Sequence, residues 1–183
     1  MYEIEIKAKL RNRKTVMKKL KDFGCKFGEE LHQVDHIFLP KGTPFPSPFD
    51  VPVLRVRKQN NEYIFTLKIS QGSRQDSLER ELKISDGKMM LQILNMIGYE
   101  EFIPVDKKRI KTNYKDMEIV LDNVKHLGEF IEIEKIVKHK NHEDRKKIQE
   151  KLFDFLEIVG VSKSDVVLDG KYDIMLYEKM KSK

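Results

Sequence analysis

The chain has 183 residues, a length that fits one domain over residues 1–183 better than two. Its 36 Lys and Arg are nearly balanced by 30 Asp and Glu, and 39% of the residues are hydrophobic, which argues against a disordered polyelectrolyte. The net charge of +6 favours an anionic partner such as nucleic acid, membrane headgroups or a phosphorylated small molecule. With Cys25 as the single cysteine and no apolar run of membrane-spanning length, we expect a cytoplasmic protein without an internal disulfide.

Helix and strand patterns alternate along the chain. Apolar residues at helical spacing predict helices near 12–23, 86–97 and 141–159, each followed by a glycine, and a shorter helix near 173–180. In the second helix the predicted apolar face is Met90, Ile93, Leu94 and Ile97. Strand patterns cover residues 2–10, 29–39, 53–59, 62–70, 76–84, 100–114, 117–124 and 129–138. The proline-rich segment 40–52 predicts an irregular surface loop, and the whole pattern indicates an α+β fold with a largely antiparallel sheet.

Full charges alternate with apolar residues along the strands. Side chains two positions apart point the same way, so several strands have one charged face: Glu3, Glu5, Lys7 and Lys9; Arg55 and Arg57; Thr66 and Lys68; Glu79 and Glu81; Lys107, Arg109 and Lys111; Glu132 and Glu134. An ordinary sheet with one solvated face shows the same alternation. Here, however, acids cluster on the first, middle and last strands and bases on the strands between, and a barrel would bring these faces into one polar interior.

Such an interior suits an anion held together with divalent cations. Arg and Lys match phosphate oxygens, and Arg does so with two parallel hydrogen bonds. Carboxylates two positions apart on a strand can ligate Mg²⁺ or Mn²⁺, which prefer oxygen ligands and bridge to substrate phosphates. Either set of charges alone would repel itself in a confined space, whereas both together balance a metal–triphosphate.

The chain resembles the CYTH superfamily, the triphosphate tunnel metalloenzymes, which include class IV (CyaB-type) adenylate cyclases and thiamine triphosphatases. The family's N-terminal ExExK signature appears as EIEIK, with Glu3, Glu5 and Lys7. Further matching segments follow in order: QVDHIF, LRVRK, TLK, LERELKI, VDKKR, LDNVKHLGEFIEIE and a C-terminal segment with Tyr172. The similarity covers nearly the whole chain. The ordered set of motifs is specific evidence for the family, whereas ExExK alone would be weak evidence.

The resemblance implies a closed eight-stranded antiparallel β tunnel with a charged interior, flanked by helices. It implies substrate binding by the basic residues and one tyrosine: Lys7, Lys9, Arg55, Arg57, Lys68, Lys107, Arg109 and Tyr172. It implies a site for Mg²⁺ or Mn²⁺ at five carboxylates: Glu3, Glu5, Asp122, Glu132 and Glu134. Lys7, Glu79 and Glu81 are the candidate catalytic residues, and either glutamate could ligate metal or orient a water.

The chain departs from the family pattern at three places that leave the substrate open, one of them the long, proline-rich loop at 40–52. Ser77 and Leu78 stand where an Arg often precedes the glutamate pair, and Lys171 stands where a Ser usually precedes the C-terminal Tyr. The expected activity is metal-dependent hydrolysis of thiamine triphosphate, a nucleoside triphosphate or tripolyphosphate. The alternatives are a class IV adenylate cyclase and a non-catalytic polyphosphate binder. The basic runs lack interleaved aromatic residues, so we expect a small-molecule triphosphate partner without nucleic acid or membrane, and a monomer or homodimer.

Overall fold

The computed structural model describes residues 2–138, 142–168 and 171–182. The described part contains nine strands and four α-helices. In chain order these are β1 (Tyr2–Lys9), α1 (Arg13–Asp22), β2 (Leu31–Pro40), β3 (Val53–Gln59), β4 (Glu62–Ser73), β5 (Asp76–Ile84), α2 (Gly87–Met96), β6 (Tyr99–Glu101), β7 (Val105–Tyr114), β8 (Met117–Val124), β9 (Gly128–Val137), α3 (His142–Ile158) and α4 (Tyr172–Lys181). The predicted start of the third helix at Asn141 lies outside the described residues.

Local sequence signals explain the helix ends. The Asn12 side chain accepts a hydrogen bond from the Thr15 N–H of α1 at 3.0 Å, and Asp86 does the same for Met89 of α2 at 2.9 Å. These caps satisfy N–H groups that have no partner inside the helix. The glycines that follow the first three helices all adopt positive φ, between 84° and 95°, which only glycine adopts without strain. The helix boundaries were therefore readable from the sequence.

Eight of the strands form a closed barrel in which every pairing is antiparallel. The order is β1–β9–β8–β7–β2–β3–β4–β5, and β5 returns to β1. The barrel closes between β2 and β3, where Asp35 is opposite Arg57. The first and last strands of the chain are direct neighbours, with Glu5 opposite Glu134 and Lys7 opposite Glu132. The predicted closed, eight-stranded α+β fold is confirmed.

One detail of the prediction is wrong, and another is incomplete. The predicted strand 100–114 is two strands: β6 pairs with the outer end of β2, and β7 belongs to the barrel. Pro104 lies between them and has no N–H to donate to a ladder. The predicted apolar face of α2 is buried only in part, since Leu94 is 2% exposed but Ile93 is 41% and Ile97 62% exposed.

Helices cover the apolar outer face of the barrel. Ile6 and Ile133 on adjacent strands pack with Leu20 of α1 and Leu152 of α3, and α2 covers β3 in the same way through Leu94. Burial of these apolar side chains outside the sheet drives folding, and it leaves the opposite, charged faces of the strands to form the barrel interior. No helix in the described segments has the length and hydropathy needed to cross a membrane.

Candidate functional site

A cavity of about 970 Å³ lies inside the barrel. Among the described residues, nine acidic and nine basic side chains line it, contributed by all eight barrel strands and by α4. Charges of both signs therefore share one confined space, where electrostatic interactions are stronger than in bulk water.

The two ends of the cavity differ. At one end, which we call the covered end, the Tyr172 ring of α4 lies 4.0 Å from Lys7 Nζ and 5.2 Å from Lys107 Nζ. At the opposite, open end, the lining residues Glu81 and Ile136 are solvent-exposed, with a side-chain exposure of 48% for Glu81. Solvent and a ligand can therefore reach the cavity from the open end.

Asp35 of β2 organises the first group of bases. Its carboxylate accepts two hydrogen bonds from Arg57, at 2.6 and 2.9 Å, and lies 3.2 Å from Lys107 Nζ. Burial acts to raise the pKa of Asp35, but Lys107 and Arg57 outweigh it and hold the pKa well below its usual range. Burial and the nearby Arg109 lower the pKa of the Lys107 ammonium to about 8.

Glu132 and Asp122 organise the second group. Arg109 donates to Asp122 at 2.7 and 2.5 Å and to Glu132 at 2.7 Å, and Lys7 Nζ lies 3.0 Å from Glu132. The Tyr172 hydroxyl donates to Asp122 at 3.0 Å. Although burial acts to raise the pKa of Glu132, Lys7 and Arg109 hold it well below its usual range. We call both groups together the ion-paired region: Lys7, Asp35, Arg57, Lys107, Arg109, Asp122 and Glu132.

Glu3, Glu5 and Glu134 form a separate carboxylate cluster. One oxygen from each lies within 4.8 Å of the others, because Glu5 and Glu134 are opposite each other on paired strands. Burial, followed by repulsion from Glu3, Glu118 and Glu5, raises the pKa of Glu134 to about 8. Lys68 partly compensates the cluster, with Nζ 2.6 Å from Glu3 and 3.9 Å from Glu5.

The carboxylate cluster fits a divalent cation. It offers oxygen ligands from three side chains, which is the ligand type that Mg²⁺ and Mn²⁺ prefer. Burial and repulsion from the neighbouring glutamates raise the pKa of Glu134, and a cation would relieve that repulsion.

Arg55 retains hydrogen-bonding capacity for an anion. Its Nη2 donates to Thr66 at 3.0 Å and lies 3.4 and 3.5 Å from Glu79 and Glu81. Its Nε is buried and has no hydrogen-bond partner in the described part of the chain. A buried donor without a partner is unfavourable, and a phosphate oxygen would satisfy it.

The structure brings most of the predicted site residues to the cavity wall and leaves two away from it. Lys9 is exposed and does not line the cavity. Asp122 is fully buried behind Arg109. Of the five predicted metal ligands, three form the carboxylate cluster, whereas Glu132 and Asp122 are bound by basic side chains. The ligand and substrate roles of all these residues stay predictions.

Sequence reasoning missed several lining residues. Asp35 stood in a matched motif, but its pairing with Arg57 depends on the closure of the barrel. Glu118 shares a strand face with Val120 and Asp122, and the apolar residue between the two acids obscured the alternation. Lys171 was visible only as a departure from the family pattern.

Comparison with known proteins agrees with this geometry. The CYTH domain family model matches residues 1–170. A Methanocaldococcus jannaschii protein named "Putative adenylate cyclase" is 30% identical over 172 residues, which cover 91% of this chain and 94% of that protein.

Solved structures share the fold. The PH1819 protein of Pyrococcus horikoshii has a TM-score of 0.81 at 27% identity, with 97% of this chain and 99% of that one covered. A Hippeastrum protein, described as a "putative adenylyl cyclase" with a dominant triphosphatase activity, has a TM-score of 0.61 at 16% identity, with coverage of 98% and 96%. At that identity the likeness concerns the fold alone.

Proposed function

The chain belongs to the CYTH family, and from that premise we propose that it is a divalent-metal-dependent enzyme that hydrolyses a triphosphate. The observation that carries the proposal is the carboxylate cluster, which shares one buried cavity with the bases of the ion-paired region. Lys68 links the cluster to Glu79, since its ammonium contacts Glu3 and lies 3.1 Å from Glu79. Such an arrangement can hold a polyanion and its cation side by side.

The basic side chains bind and orient the phosphates. Arg55 offers its unpartnered Nε, and Lys68 keeps its proton because Glu3, Glu5 and Glu79 outweigh burial and raise its pKa well above the usual value. These charges are fixed before substrate arrives, so they stabilise developing negative charge without reorganisation. A divalent cation at the carboxylate cluster supplies further charge neutralisation when bound.

Glu79 is the candidate residue that orients the attacking water. Glu79 lines the cavity beside Lys68, and Glu81 reaches the open end, 3.3 Å from the Thr66 hydroxyl. In the proposed step the water oxygen bonds to the terminal phosphorus as the bridging P–O bond breaks. Inorganic phosphate and the shortened diphosphate leave, and the water proton passes to a carboxylate or to solvent.

A cyclase reaction is the second candidate, supported by the name of the M. jannaschii relative. In that reaction the ribose 3′-hydroxyl attacks the α-phosphorus, and pyrophosphate leaves. Hydrolysis is favoured because Tyr172 is the sole aromatic side chain among the lining residues described, and it lies at the covered end. Among the described lining residues, none at the open end has an aromatic ring that could stack on adenine.

A substrate panel tests the proposal directly. Tripolyphosphate, thiamine triphosphate and ATP are each incubated with Mg²⁺, Mn²⁺ or EDTA, and release of phosphate, pyrophosphate and cyclic AMP is measured. The proposal expects phosphate release that needs metal. Cyclic AMP with pyrophosphate as the main products would establish the cyclase, and turnover undiminished by EDTA would refute the metal requirement.

A further inference from the structure

Lys171 differs from the other bases of the cavity. It immediately precedes α4 and lines the cavity beside Tyr172 and Asp173. Seven of the nine lining bases form an ion pair with a carboxylate, and Arg80 donates to the Glu79 carbonyl. In the described part of the chain, the Lys171 side chain forms neither an ion pair nor a hydrogen bond.

The surroundings of Lys171 are short of negative charge. Burial and the Lys68 ammonium lower the pKa of Lys171 to about 8, and Lys7 acts in the same direction. Glu5 and Asp173 oppose them and do not compensate fully. The ammonium groups of Lys68 and Lys7 thus repel that of Lys171, and both are already bound to carboxylates, Lys68 to Glu3 and Lys7 to Glu132. A half-buried charge without an ion pair is unfavourable, and an anion entering here would pair with it.

We infer that Lys171 is a further phosphate-binding residue, which receives the terminal phosphate of the substrate at the covered end of the cavity. The inference rests on the proposed function, because it takes the ligand to be a triphosphate. It also orients that ligand: the phosphate tail points toward α4, and any organic group remains at the open end near Ile136. The substrate class is therefore a triphosphate with a free terminal phosphate, whether inorganic or a monoester.

Binding measurements on charge variants test this role. The affinity for tripolyphosphate is measured by calorimetry, with Mg²⁺ and with EDTA, for the parent, Lys171→Gln and Lys171→Arg. We expect the Gln variant to bind at least about tenfold more weakly, because it loses one charge-assisted hydrogen bond, and the Arg variant to stay within about threefold of the parent because it keeps the charge. Lys151→Gln on the exposed face of α3 is the matched control and should bind like the parent.

Two of the outcomes separate the role of Lys171 from the proposed function. Equal affinity of Lys171→Gln and the parent overturns the role of Lys171 and leaves the proposed function standing. If the parent binds tripolyphosphate but turns over no member of the substrate panel, the proposed function falls, and the affinity ratio still decides the role of Lys171. If the parent does not bind tripolyphosphate, both fall. Should the Gln variant not fold, Lys171→Ser replaces it, because a serine is usual at this position in the family pattern.

Discussion

Glu132 and Glu134 project from one strand into the same cavity, two positions apart, and their surroundings are opposite. Glu132 is held by Lys7 and Arg109, and its pKa lies well below the usual range. Glu134 has no ion pair in the described part of the chain and faces three other glutamates, and its pKa is about 8. The same residue type on the same strand therefore has two environments, because neighbouring strands bring bases to one carboxylate and acids to the other. Glu132 is ion-paired across the barrel wall, and Glu134 is the proposed cation ligand.

Breaking the ion-paired region should produce the largest effect. Asp122→Asn removes the carboxylate that Arg109 and Tyr172 share and leaves buried positive charge without full compensation. We expect a loss of about 3–5 kcal/mol in the free energy of unfolding, measured by urea denaturation. Glu62→Gln is the control, because its pair with Lys83 is exposed and should contribute at most about 1 kcal/mol. Equal losses in the free energy of unfolding would show that the buried ion pairs contribute no more than an exposed pair.

Changing the carboxylate cluster should affect turnover instead. Glu134→Gln keeps the size of the side chain and removes its charge, so the protein should remain folded. We expect the rate of triphosphate hydrolysis to fall at least about 100-fold, as for the loss of a group that acts on the transition state. Steady-state kinetics with saturating Mg²⁺ measures this. A rate within threefold of the parent would remove Glu134 from the proposed metal site.

Two arginines on one strand sharpen the comparison further. Arg57 is bound through two hydrogen bonds to Asp35, whereas Arg55 makes longer contacts to Glu79 and Glu81. Lysine lacks the planar fork of arginine, so Arg57→Lys should lower the free energy of unfolding by about 1–3 kcal/mol. Arg55→Lys should weaken tripolyphosphate binding about tenfold with a smaller loss of stability. Urea denaturation measures the loss of stability in both variants, and calorimetry measures the loss of tripolyphosphate affinity. A larger loss of stability for Arg55→Lys than for Arg57→Lys would contradict the prediction.

The smallest expected effect is a pH dependence of stability without metal. The folded-state pKa of Glu134 is raised to about 8, so its contribution to stability is present below its ordinary pKa and is lost as pH rises through about 8. Across that window the Tm of the parent should fall relative to that of Glu134→Gln, by at least about 2 °C. Addition of Mg²⁺ should abolish the difference for the parent, because the cation stabilises the ionised carboxylate. Parallel Tm profiles without metal would show that Glu134 does not titrate in this range.

Features that depend on neighbouring residues were predictable. Asn12 and Asp86 cap the helices as their positions indicate, and glycine ends three of them, since these interactions involve residues a few positions apart. The alternation of charge along each strand correctly placed residues such as Glu3 and Arg55 on the inner face. The exposed side chains of Ile93 in α2 and Ile97 directly after it show the limit of this prediction. Periodicity identifies an apolar face but not how much of that face another element covers.

The sequence by itself determined the helices, the strands and which side of each strand is charged, because these depend on local periodicity and turn chemistry. The ordered CYTH motifs added the closed barrel. Only the tertiary structure decided which charges meet. It placed Glu134 with Glu3 and Glu5 and Glu132 with Lys7 and Arg109. It gave the Lys171 side chain no ion pair among the described residues. The reason is physical: alternating Glu, Lys and Arg on a strand look equivalent in one dimension, and the charge environment of each comes from strands far away in the sequence.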